Sequence, residues 1–102
     1  MATNNAKVLY RGAATTNTAT TLYTVPSSTT TIVTNIVITN TSLSDQTFTI
    51  AFDGVEIAYS TLVEGGQMIV IDMKQVLATT KIISGGASAT SVKFHISGVE
   101  VA

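Results

Sequence analysis

The chain has no cysteine, no tryptophan and one proline, Pro26, and only 11% of its residues are charged. Without cysteine it can form neither disulfides nor thiolate metal sites. The basic residues Lys7, Arg11, Lys74, Lys81 and Lys93 are scattered, and the net charge is −1. Binding to nucleic acid by phosphate neutralisation needs a clustered positive patch, so no nucleic-acid partner is expected. No apolar run approaches the roughly 20 residues of a membrane-spanning helix, so no membrane partner is expected either. The opening MATNNAKVLYRG lacks the apolar stretch of a secretory signal. Sustained helical periodicity is missing as well.

What remains is a short chain rich in threonine. Its 102 residues suggest a single domain spanning 1–102. Surface scaling gives about 5,500 Å² exposed when folded against about 15,400 Å² unfolded, enough burial for one modest core. Apolar residues make up 45% of the chain, too many for a disordered one. Exposed faces that are neutral and hydroxyl-rich repel neighbours weakly, so packing against other protein is plausible.

The longest run of strand formers is Thr29–Asn40, TTTIVTNIVITN. β-Branched residues lose side-chain freedom in a helix and fit a pleated sheet. Strict alternation places Thr30, Ile32, Thr34, Ile36 and Ile38 on one face and Thr31, Val33, Asn35, Val37 and Thr39 on the other. Apolar residues on both faces predict a central strand covered on both sides. Thr47–Phe52 alternates cleanly, with Phe48, Ile50 and Phe52 facing inward. Asp53-Gly54 predicts a tight type I′ turn into Val55–Tyr59. Further strands are expected at Lys7–Arg11, Thr21–Val25, Gln67–Met73, Thr80–Ser84 and Thr90–Ala102. Lys74–Ala78 reads as ambiguous, with one helical turn as an option. Gly85-Gly86 is expected to break a strand, and Gly98 to mark a bulge. Residues 1–6 read as a flexible N-terminal arm. About eight strands separated by turn signals predict an all-β chain, a single small antiparallel β-sandwich of jelly-roll or Ig-like type.

TFTIAFDGVEIA (Thr47–Ala58) and SVKFHISGVEVA (Ser91–Ala102) resemble each other at an offset of 44 residues. Two readings are open: alternating strands look alike, or the chain holds two strand–glycine–strand units related by a pseudo-twofold.

Candidate chemistry is sparse. His95, the only histidine, is expected on the outward face of its strand, as a structural or subunit-contact residue. The acids Asp45, Asp53, Glu56, Glu64, Asp72 and Glu100 are dispersed and form no calcium-loop pattern. No serine lies in Gly-x-Ser-x-Gly, and Gly65-Gly66 and Gly85-Gly86 form no phosphate loop. Tyr10, Tyr23 and Tyr59 could stack on sugars or pack at an interface. No catalytic, cofactor-binding or metal-binding residue, and no cofactor, is expected.

Leu22–Ser42 (LYTVPSSTTTIVTNIVITNTS), Phe48–Ala58 (FTIAFDGVEIA), Phe94–Val101 (FHISGVEV) and, more loosely, Met68–Leu77 (MIVIDMKQVL) resemble small virion structural proteins of tailed bacteriophages. That resemblance implies a β-sandwich without catalysis. It implies a place in the virion, after assembly in the host cytoplasm, most simply as a capsid decoration protein on the head surface. Expected partners are copies of itself, often in trimers, and major capsid or other virion proteins. The alternative it leaves is a tail, fibre or head–tail accessory module that recognises a host-surface glycan or receptor.

Overall fold

Strands form wherever β-branched and aromatic runs sit between Gly, Ser, Asn and Pro. In the computed structural model, which describes residues 4–102, these are β1 (Asn4–Ala13), β2 (Thr21–Thr24), β3 (Thr30–Asn40), β4 (Gln46–Phe52), β5 (Val55–Val63), β6 (Met68–Leu77), β7 (Ile82–Ala87) and β8 (Val92–Val101). The described residues contain no helix, so Lys74–Leu77 continues β6 rather than forming a helical turn.

The strands make two antiparallel four-stranded sheets, ordered β1-β8-β3-β6 and β2-β7-β4-β5. Strand β1 pairs with β8, β2 with β7, β3 with β6 and β4 with β5. This is one long hairpin rolled over on itself, a jelly roll; of the two sandwich types expected, the strand order selects this one. The accessible surface, 5460 Å², agrees with the compact value expected from the chain's mass.

One core lies between the sheets. Val33, Ile36, Ile38, Phe94 and Ile96 from one sheet meet Phe48, Ile50 and Ile83 from the other. Phe48 and Phe94 touch edge to face, their ring centres 6.2 Å apart. The expected inward row Phe48, Ile50, Phe52 is buried. The Asp53-Gly54 turn has positive φ at both residues, as a type I′ turn requires.

Strand β3 departs from the expected alternation. It carries one extra residue, Thr34, against β8, where Val33 faces Gly98 and Asn35 faces Ser97. This bulge shifts the pattern by one residue. Val33, Ile36 and Ile38 are buried together, while Ile32 and Val37 are half-buried on the outer face. The slip exchanges Ile32 and Val33 between the two faces, and among the described residues no third layer covers the outer one, where Ile32 and Val37 lie.

The bulge expected at Gly98 sits instead on its neighbours, at Leu9 of β1 and Thr34 of β3. β8 itself alternates through Gly98. A Cβ there would lie 2.4 Å from the Ile32 carbonyl oxygen, so only glycine admits both bulged strands. A Cβ at Gly54 would meet nothing within 4 Å, and the residue sits in an exposed turn. The two glycines of the repeated motif thus occupy unrelated environments, which removes the pseudo-twofold. Gly85 and Gly86 run inside β7 rather than breaking it. Of the arm expected at residues 1–6, Asn4, Asn5 and Ala6 pair with Val101, Glu100 and Val99 as the start of β1, and residues 1–3 lie outside the described residues.

Candidate functional site

Among the described residues, no three His, Cys, Asp or Glu side chains gather closely enough to hold a metal. His95 lies on the outer face of β8, as expected, half-buried. Its Nδ1 accepts a hydrogen bond from Arg11 Nε at 3.1 Å. The three tyrosines do not converge. Tyr10 donates its hydroxyl to the Ala13 carbonyl at 2.7 Å. Tyr23 is turned into a polar cluster, and Tyr59, on edge strand β5, is 74% exposed.

That polar cluster joins the two sheets at one end. Tyr23 of β2 bonds to Thr31 Oγ1 of β3 at 2.8 Å and donates to the Glu100 carboxylate of β8. Lys7 of β1 donates to both Glu100 oxygens at 3.4 Å. The cluster's hydrogen-bonding groups are spent on one another. Burial, and then the bond to Glu100, push the Tyr23 phenol up to about 12. No local pattern marks this clamp, because its members come from four separate strands. A second knot surrounds Asn40, which is fully buried. Its amide donates to the Ser44 and Val63 carbonyls at 2.7 and 3.1 Å, and its Oδ1 accepts from Ser42 N and Oγ at 3.0 and 2.8 Å. It holds the β3–β4 connection onto the end of β5.

The chemically distinctive surface is the outer face of the β1-β8-β3-β6 sheet. Strand register sets its side chains in rows. Ala6, Val99, Ile32 and Val76 form one continuous apolar row across all four strands. Val8, Ser97, Asn35 and Asp72 form the next, then Arg11, His95, Val37 and Val70. Val8, Val70 and Val76 are 43%, 51% and 67% exposed. Among the described residues no further layer lies on this face. The corresponding face of the other sheet carries Thr47, Ser84 and Gly86 with the buried Thr49 and Ala51, and the exposed Leu62 lies on it opposite Thr47. A shallow depression of about 570 Å³ opens at the β6 edge between Thr34, Asp72, Met73 and Lys74, where β6 has one residue more than β3.

Several aliphatic side chains left open on one sheet face mark a surface suited to burial against another protein. Sequence reading singled out Val37 but placed it under a covering layer. A scan against protein-family models finds no match for this chain, and a search of curated proteins finds no significant relative.

Proposed function

We propose that the chain is a non-enzymatic structural protein of a bacteriophage virion, a capsid decoration protein that binds the head surface as a symmetric homo-oligomer. The observation that carries this reading is the open apolar outer face of the β1-β8-β3-β6 sheet, with its continuous row Ala6, Val99, Ile32 and Val76. Hydrophobic burial scales with area removed from water, and an open sheet face can cover a junction between capsid subunits. Many modest contacts, multiplied across a symmetric lattice, attach firmly. The low charge of the chain limits repulsion between neighbouring copies. Jelly rolls recur in capsid proteins but also in lectins, so the fold supports the reading without deciding it.

A second reading, a tail or fibre module that recognises a host-surface glycan or receptor, draws on the exposed Ile57, Tyr59 and Leu62 of β5. Co-sedimentation with undecorated tailed-phage capsids separates the two. Saturable, stoichiometric binding supports decoration. Failure to bind, together with inhibition of phage adsorption by the free protein, supports the second reading.

A further inference from the structure

We infer that two copies of this chain pair through the free edge of β6, joining their four-stranded sheets into one continuous eight-stranded sheet. The inference takes from the reading above only that the chain assembles with copies of itself.

Among the described residues, β6 lies at the end of its sheet and nothing pairs with its outer edge. A strand edge leaves a row of peptide groups ready to accept another strand. The other edges are poorer templates. β2 has only four residues. β1 bulges at Leu9. β5 contains a positive-φ residue, Ser60, and two breaks in register. β6 is long, and although it has one residue more than β3 at Met73–Lys74, its side chains alternate from Met68 to Leu77 with Met68, Val70, Asp72, Lys74 and Val76 outward.

That outward row is self-complementary. Antiparallel pairing of two identical strands about a twofold axis places residues equally far from the centre opposite each other. With Met73 at the centre, Asp72 faces Lys74 of the second copy, and Val70 faces Val76. Each pair occurs twice. Moving the centre by one residue sets Asp72 against its own copy, or Lys74 against its own copy, and like charges directly opposite are unfavourable. Charge therefore favours this register over the two beside it, and this register also joins the exposed valines. Met73, partly buried against the core, meets its counterpart at the axis. The depression between Thr34, Asp72, Met73 and Lys74 lies at the same centre, where the second strand covers it. Pairing at this edge leaves the outer sheet face open and doubles its width.

Sedimentation velocity across a concentration series tests the pairing. The wild-type chain should sediment as a dimer. Asp72→Lys puts lysines opposite Lys74, and Lys74→Asp puts acids opposite Asp72. Each variant alone should dissociate with a Kd raised about tenfold or more. The double exchange, Asp72→Lys with Lys74→Asp, should restore the dimer, and an equimolar mixture of the two single variants should form a heterodimer. Both positions are exposed, and unchanged thermal unfolding at low concentration confirms that the variants fold. A wild-type monomer or trimer, or a dimer indifferent to both single exchanges, would overturn the inference. A monomer would leave Asp72 and Lys74 as charged guards of a solvent-facing edge. A charge-sensitive dimer that does not bind capsids would overturn the decoration reading alone. Capsid binding by a chain with no β6 pairing would overturn only this inference.

Discussion

Gly98→Ala is the perturbation that most sharply separates the folded arrangement from the sequence pattern. The added methyl would sit 2.4 Å from the Ile32 carbonyl oxygen and 2.9 Å from Leu9 Cδ1. Leu9 can rotate away, but the Ile32 oxygen belongs to the backbone of β3. Ordinary contact needs roughly 1 Å more, so β3 must shift against β8 at its bulge. Overpacking of this kind costs about 1–3 kcal/mol. Loss or stretching of one or two ladder hydrogen bonds adds about 1 kcal/mol each. The expected total is about 3 kcal/mol, a large share of the roughly 5–15 kcal/mol that holds a small domain together. Gly54 supplies the control. Its φ of +77° with open space around it suits asparagine, so Gly54→Asn should cost under about 1 kcal/mol. Gly98→Asn should be at least as damaging as Gly98→Ala. Urea denaturation with matched m-values measures all three. A cost below about 1 kcal/mol for Gly98→Ala would refute the close approach of β3 to β8.

Three further outcomes follow from the same geometry. Burial favours the neutral Tyr23 phenol, so its contribution is full below the ordinary phenol pKa near 10 and is lost as pH rises through about 12. With solvent screening this is about 1 kcal/mol, and subtracting the pH–stability curve of Tyr23→Phe from that of wild type should isolate it. Asn40→Ala leaves the buried Val63 carbonyl without its side-chain donor and should cost about 2–4 kcal/mol by chemical denaturation. Val37→Lys should cost only about 1 kcal/mol, because the lysine stem can lie along the outer face with its ammonium in water. A loss near 4 kcal/mol would show that something covers that face.

The fold was legible where side chains follow period two without interruption. Phe48, Ile50 and Phe52 point inward as their spacing dictates, and Asp53-Gly54 turns as its residue types dictate. The pattern misled wherever two strands differ by one residue. Thr34 and Leu9 are ordinary strand residues, and nothing local in either marks an extra position; the bulges exist only in relation to β8. Gly98 marked the right place in the chain but the wrong strand, since its missing side chain accommodates bulges on either side. Gly85-Gly86 reads as a turn locally, yet Thr49 and Asn17 carbonyls press against the two positions and require glycine inside a strand. The outer face followed the same logic. Val37 was visible, but its row with Arg11, His95 and Val70 depends on register across four strands. The Tyr23–Glu100–Lys7 clamp depends on contacts too distant in sequence for any local pattern.

We propose that this sheet face works by being covered by another protein. A particle reconstruction that locates the chain tests it most directly. The prediction is density for the jelly roll on the head surface, with Ile32, Val37, Val76 and Val99 turned onto capsid protein. Density that places this face in open solvent, or the chain away from any protein lattice, would contradict it.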